Sequence, residues 1–216
     1  MNLTAAAKSG LAVLAILAAP AALAQSELAQ SEIDPNRPQK HFTVLRPAGL
    51  TGADAEKIYA RLKQDLAAAY RLSGEPYTRG YLSWQRYNTV PYRSAQHGER
   101  FINNYANAAA ARYRLFEDSG PLPPGAILVK DSFAVTEAGD VFSGPLFVME
   151  KMAPGFNPAS GDWRYTMIMP DGSLMGTTGG AGSARMEFCV SCHAIVGEKQ
   201  DHMFYVPEAV RAAVED

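Results

Sequence analysis

Both cysteines of the chain fall in one pentapeptide, Cys189-Val190-Ser191-Cys192-His193. The spacing C-x-x-C-H is the attachment signature of a c-type haem. Two thiols one helical turn apart can each add across a vinyl group of the same porphyrin. The next residue, His193, then lies under the iron as its proximal ligand. No cysteine is left over for a disulfide. A zinc site is one alternative, but zinc takes four ligands. Cys189, Cys192 and His193 supply three, and the fourth would have to be a distant His41, His97 or His202. A thioredoxin-like redox pair would follow a strand near the start of a βαβ unit. No such pattern surrounds this motif, which lies 23 residues from the C-terminus. The residues point to one covalently attached haem c and its iron.

The N-terminal segment agrees with that chemistry. Residues 1–24 read as a secretory signal peptide, with Lys8 in the n-region and a short apolar core from Leu11 to Leu17. Ala22-Leu23-Ala24 is an A-x-A cleavage site, so the mature chain is expected to start at Gln25. The apolar stretch is short and alanine-rich for a membrane anchor. Bacterial c-type haem is attached after export, which places the mature protein in the periplasm. Without the leader about 190 residues remain, the size of one domain. The net charge of −2 is built from mixed charges, which argues against nucleic acid or an anionic membrane as partner.

The elements that must position the motif follow from the pattern. Residues 25–45 are expected to form a loose N-terminal arm. Thr51 is placed to cap a helix whose apolar positions Ile58, Leu62, Leu66 and Ala69 keep helical spacing to about Leu72, where Gly74 stops it. Residues 81–88 alternate like a strand. Residues 100–105 also suit a strand, and 106–113 a helix. From Pro121 onward the pattern is that of antiparallel sheet. Strands are expected over 126–135, 145–152 and 162–169, with a hairpin turn at 137–140 and a flexible loop at 176–182. A short helix then carries the haem motif, and another short helix ends the chain. The sum is an α+β fold: an antiparallel β-sheet core, flanking helices, and a C-terminal helix bearing Cys189, Cys192 and His193.

The position of the motif is informative. Small electron-transfer cytochromes c carry C-x-x-C-H near the start and draw a sixth ligand from a Met tens of residues later. Here Met203 is the sole downstream Met, ten residues on. Upstream Met149, Met152, Met167, Met169, Met175 and Met186 fall mostly on strand positions, where an apolar gap-filler is the default. Four-helix cytochromes c′ also carry the motif near the C-terminus, but their all-helical pattern does not suit residues 121–180.

Several segments taken together resemble the cytochrome P-460 family, which includes the cytochromes c′-beta. They are Gly125-Ala126-Ile127-Leu128-Val129-Lys130, the run Gly144 to Met152 (GPLFVMEKM), Gly161-Asp162-Trp163-Arg164-Tyr165, and the haem motif followed by Asp201 and Phe204. The likeness spans roughly residues 90–210. It implies a single cytochrome P-460-like haem c domain over 46–216, a homodimer, and one five-coordinate haem per chain. It also implies a periplasmic electron-transfer partner.

In the P-460 enzymes a lysine nitrogen is bonded to the porphyrin edge, and Lys130 falls at the matching position. Burial against an apolar macrocycle would lower its pKa and so free the amine as a nucleophile. The competing reading is a solvated lysine at a strand end, beside Asp131. Hydroxylamine-oxidising members need a distal carboxylate as proton acceptor. Glu150, Glu187 and Glu198 are the candidates here. The c′-beta members bind nitric oxide in apolar pockets capped by phenylalanine, a role open to Phe133, Phe142 or Phe147. Arg100 is a candidate donor to a bound ligand or a haem propionate, or else a partner of Glu99 or Glu117. His97 is a candidate sixth ligand, although its loop-like context favours a surface histidine; His41 and His202 are weaker candidates. Three functions follow: an oxidoreductase acting on hydroxylamine or a related small nitrogen species, a nitric oxide-binding protein without turnover, and an electron carrier with six-coordinate iron.

Overall fold

A computed structural model describes residues 38–213. The expected leader over 1–24 and most of the expected arm lie outside the described residues. The long helix α1 (Gly52–Tyr70) starts where Thr51 allows it: the Thr51 hydroxyl accepts a hydrogen bond from Asp54 N. Such a cap satisfies one of the orphan amides of the first turn and contributes about 1 kcal/mol. The chain then tightens into a 3-10 turn, Arg71–Ser73, and leaves it through Gly74 at φ 79°. That left-handed conformation is one glycine adopts without penalty.

Eight strands, counted among the described residues, form one antiparallel sheet. They are β1 (Gln85–Arg86), β2 (Tyr92–Ser94), β3 (Arg100–Ala106), β4 (Ile127–Val135), β5 (Val141–Ser143), β6 (Leu146–Lys151), β7 (Trp163–Ile168) and β8 (Leu174–Thr177). The main path runs β1-β3-β4-β6-β7-β8, with β2 also paired to β3 and β5 to β4. A second α-helix, α2 (Glu187–Ala194), carries Cys189, Cys192 and His193. The α+β architecture with an antiparallel sheet is the one the sequence pattern leads to. No helix among the described residues is long and apolar enough to cross a membrane.

The sheet is buried on both faces, and the period-2 alternation of its strands sorts the two layers. Val129, Phe133, Val148 and Ile168 pack with Tyr59, Leu66 and Tyr70 of α1 in one cluster. Leu128, Met149, Tyr165 and Met167 pack on the other side with Met186, Phe188, Cys189 and Met203. The haem-motif helix and α1 therefore sit on opposite faces. Lys130 and Asp131, adjacent in sequence, point to opposite layers for the same reason.

Three expectations are corrected. Residues 81–88 are not one strand: Tyr81–Ser83 is a 3-10 turn and only Gln85–Arg86 pairs. Pro76 opens the preceding 3-10 turn and Gly80 joins the two, so the alternating residues are spent on compact turns. The helix expected over 106–113 is instead the end of β3 at Ala106 followed by 3-10 turns over Ala108–Asp118, broken at Phe116, which has φ 49°. The glycine-rich stretch at 176–182 is not all loop; its first residues belong to β8, where Thr177 pairs with Thr166. The small residues there lie close to a neighbouring segment, since a Cβ on Gly176 would meet the Gly182 carbonyl.

Candidate functional site

On the face opposite α1, a cavity of about 330 Å³ opens between the sheet and the C-terminal segments. Its floor comes from three adjacent strands. The register pairs Leu128 with Met149 and Met149 with Tyr165, and in the neighbouring row Lys130 with Phe147 and Phe147 with Met167. All six side chains line the cavity. Two such rows are two residues apart along the strands, about 7 Å.

Over the first row stands His193. Its ring lies 5.0 Å from that of Tyr165 and 5.1 Å from that of Phe204. Its Nδ1 is 2.7 Å from the His202 carbonyl oxygen, so Nδ1–H donates and Nε2 is left as the free ring nitrogen. That carbonyl is held by a built turn. Asp201 and His202 are consecutive residues in the left-handed region, with φ 47° and 57°. Asp201 is fixed from three sides: its carboxylate accepts from Leu122 N at 2.8 Å and from the Lys151 ammonium, and its carbonyl accepts from Trp163 Nε1 at 2.7 Å. Backbone strain of this kind persists only where the surroundings overdetermine it. Here the result is a carbonyl aimed at one ring nitrogen.

The two thiols lie one turn apart on α2, and both line the cavity with His193. Both are free. Burial, with Cys192 nearby, pushes the Cys189 thiol up to about 12. Burial is also the first cause that lowers His193 to about 3, followed by the Lys130 charge, against the opposing pull of the His202 carbonyl. Lys130 is not a solvated lysine at a strand end. It sits mid-strand in β4, 9% exposed, and burial lowers it to about 8.

Over the second row stand two further imidazoles. His97 packs on Phe147 at 4.8 Å between ring centroids, and His41 on Phe147 at 4.9 Å and Phe188 at 4.7 Å. The two rings stack on each other at 5.3 Å. Sequence context favoured the surface for His97; the structure buries it in the cavity wall, where its Nδ1 is 2.8 Å from the Ser94 hydroxyl. His41 ranks as a weaker candidate in the sequence for a different reason. It belongs to a segment with no periodicity, yet residues 38–45 are tied down where Val44 N donates to the Gly98 carbonyl and Arg100 Nη1 donates to the Phe42 carbonyl at 2.6 Å. No local sequence signal marks that long-range contact.

The remaining candidates take other places. Arg100 is not in the cavity lining; its Nη1 is engaged by the Phe42 and His97 carbonyls, so it pins the turn that carries His97. Glu150 pairs with Arg164, and Glu187 and Glu198 are exposed on the surface. Among the described residues, no Asp or Glu lines the cavity. Phe133 is buried in the α1 layer and Phe142 is 55% exposed, so of the three candidates only Phe147 lines the cavity, together with Phe188 and Phe204. Met149, Met167 and Met186 line the cavity, whereas Met203 is packed into the core beside Cys189. His202 is buried behind His193 and offers its carbonyl rather than its ring.

Residues 78–205 match the family model for Cytochrome P460. The chain belongs to that family. Haem binding with iron comes with membership. No curated protein matches the chain. The match begins after α1, so the arm and its His41 lie outside the matched region. The donor set suits a haem: two thiols a turn apart, an imidazole with Nδ1 tied back and Nε2 free, and an apolar and aromatic surround. Cys189, Cys192 and His193 are the residues that could hold it.

Proposed function

We propose that this chain is a periplasmic mono-haem c oxidoreductase, homodimeric like the family it resembles, acting on hydroxylamine or a related small nitrogen species. The observation that carries the reading is the convergence of Cys189, Cys192, His193 and Lys130 on one buried cavity. Bound through the two thiols, haem would supply an iron that can bind a small ligand and exchange electrons with a partner protein. The rest is work for the chain's own side chains.

His193 is the proximal ligand in this reading. A hydrogen bond from its Nδ1 fixes the ring orientation and raises the basicity of Nε2. Lys130 is the residue that would bond the porphyrin edge, its nitrogen replacing a ring hydrogen at the expense of a two-electron oxidant such as peroxide. Its lowered pKa leaves part of the population as free amine near neutral pH, which a nucleophilic nitrogen requires. Leu128, Met149 and Met167 exclude water from the floor.

Lys130 carries the first test. The dithionite-reduced wild type, matured in a host that attaches haem c, is expected to show a Soret band displaced far to the red. Lys130→Arg should return the spectrum to that of an ordinary high-spin haem c and lower hydroxylamine oxidation by an order of magnitude or more. An ordinary spectrum in the wild type would rule out the cross-link. A specific observation then favours a second reading, capture of nitric oxide without turnover: no carboxylate lines the cavity among the described residues. Nitric oxide affinity alongside absent hydroxylamine turnover would decide for it.

Asp201 carries a second test. Asp201→Ala removes the anchors to Leu122 N and Lys151 and frees the turn that presents the His202 carbonyl. Loss of such an outer partner typically weakens metal affinity or activity 10–100-fold. The reduction potential is expected to rise, since a less basic imidazole stabilises ferric iron less. An unchanged potential would remove Asp201 from this role.

A further inference from the structure

The cavity has two histidine-bearing ends, and the proposed function uses only one. The imidazoles of His193 and His97 are built alike. Each is buried, each has its Nδ1 within 2.8 Å of an oxygen on its own side of the cavity, and each is left with Nε2 as the uncommitted nitrogen. They stand over successive rows of the same sheet face, His193 against Tyr165 and His97 against Phe147.

His97 is also held more firmly than a loop residue needs to be. Ser94 ends β2 and pairs with Arg100 of β3, and the turn between them closes through His97 N to the Ser94 carbonyl. Gly98 has φ 75°, and a Cβ there would collide with the Phe42 carbonyl and the Arg100 guanidinium. Only glycine fits at that point. Arg100 then clamps the His97 carbonyl at 3.0 Å. A turn with this many restraints fixes where the ring lies.

We propose that His97 is the residue that hydrogen-bonds a small ligand at the iron, its Nε2–H donating to the ligand from the side opposite His193. The inference rests on the haem reading above and adds the identity of the distal group, an imidazole where the resemblance led us to expect phenylalanine or a carboxylate. A neutral imidazole donates from one nitrogen and accepts at the other. When the Ser94 hydroxyl donates to Nδ1, the proton resides on Nε2, facing the cavity. Burial holds His97 well below its ordinary pKa, so the ring is neutral at neutral pH and can work this way. The ligand class follows: small molecules that bind iron through one atom and accept a hydrogen bond on that atom or the next. Donors in a distal pocket are one of the levers by which a protein selects among such ligands.

Carbon monoxide is the probe, on the full-length haem-loaded ferrous protein, read by the infrared C–O stretch. A donor on the bound ligand lowers that stretch. The wild type is expected to show a lowered band, His97→Leu a band displaced upward, and His97→Gln, which keeps a donor, an intermediate return. Ser94→Ala should split the band, because the imidazole proton is then no longer directed to Nε2. An identical stretch in wild type and His97→Leu overturns the proposal, as does a shift produced by His41→Leu alone. A low-spin ligand-free spectrum that becomes high-spin in His97→Leu overturns it too, since His97 would then be bonded to the iron itself. If no variant gives a C–O band because the chain retains no haem, the haem reading fails first, a result distinct from a band that ignores position 97.

Discussion

In the Lys130→Arg background, which lacks the proposed cross-link, serine at both Cys189 and Cys192 is expected to abolish covalent haem retention altogether, the largest effect available in this chain. The two thiols are the chain's only cysteines, they lie one turn apart on α2, and both face the cavity with His193. A serine hydroxyl does not form the thioether, so haem should leave completely on acid–acetone extraction and on denaturing gels. Each single variant should keep one attachment and retain haem, with a shifted spectrum. The double variant should also be less stable than the wild type in thermal unfolding, because a group that stays bound to the native state stabilises it by mass action. The cavity floor of Leu128, Met149 and Met167 would face water in its place. Haem that survives extraction from the double variant would refute the attachment site.

The motif was legible in the sequence because its chemistry depends on local spacing, and α-helical spacing is a local property. Strands β4, β6 and β7 were legible for a related reason: their alternation reflects a sheet with two different layers, and it survives without knowing the partner strands. Lys130 was ambiguous because alternation says which residues share a face but not whether that face is covered. The 3-10 turns at Tyr81–Ser83 and Ala108–Asp118 were misread because short helices and strands both tolerate the apolar density of those stretches, and packing against α1 and β3 decided between them. His41 and His97 were the least legible. One lies on an aperiodic segment, the other in a turn, and they meet over Phe147 only through contacts across the fold. Functional groups placed on loops by a rigid sheet leave no period to read.

The α1 layer shows the same limit in its most polar residue, and there the energetic consequence is large. Asp131 is fully buried in the middle of β4 and accepts from Tyr59 Oη at 2.5 Å, Tyr81 Oη at 3.1 Å and Asn103 Nδ2 at 2.9 Å. Asn103 Oδ1 in turn accepts from Arg86 at 2.6 Å and Asn88 at 3.0 Å, and Arg86 pairs with Glu56 on α1. The network thus ties α1 to β1, β3 and β4. Asp131→Ala would leave three buried donors short of an acceptor at once. Breaking a buried charged network from one side is destabilising by about 3–5 kcal/mol, which for a domain of this size lowers the Tm by roughly 6–20 °C.

The pH dependence gives a sharper check with Asp131→Asn. Burial raises the Asp131 carboxyl from 3.8 to about 6, with the three donors opposing. The folded state therefore binds this proton more readily than the unfolded chain does. The stabilisation is fully present below 3.8 and is lost as pH rises through about 6. Denaturant titrations of wild type and Asp131→Asn should diverge as pH falls from 7 to 4, the wild type gaining about 2 kcal/mol relative to the variant. His41, His97 and His193, buried as neutral rings, cost stability over the same range as the unfolded chain takes up their protons, but they do so in both proteins and cancel in the difference. A wild type-minus-variant difference that stays flat across that range would mean the Asp131 carboxylate keeps its charge in the folded core.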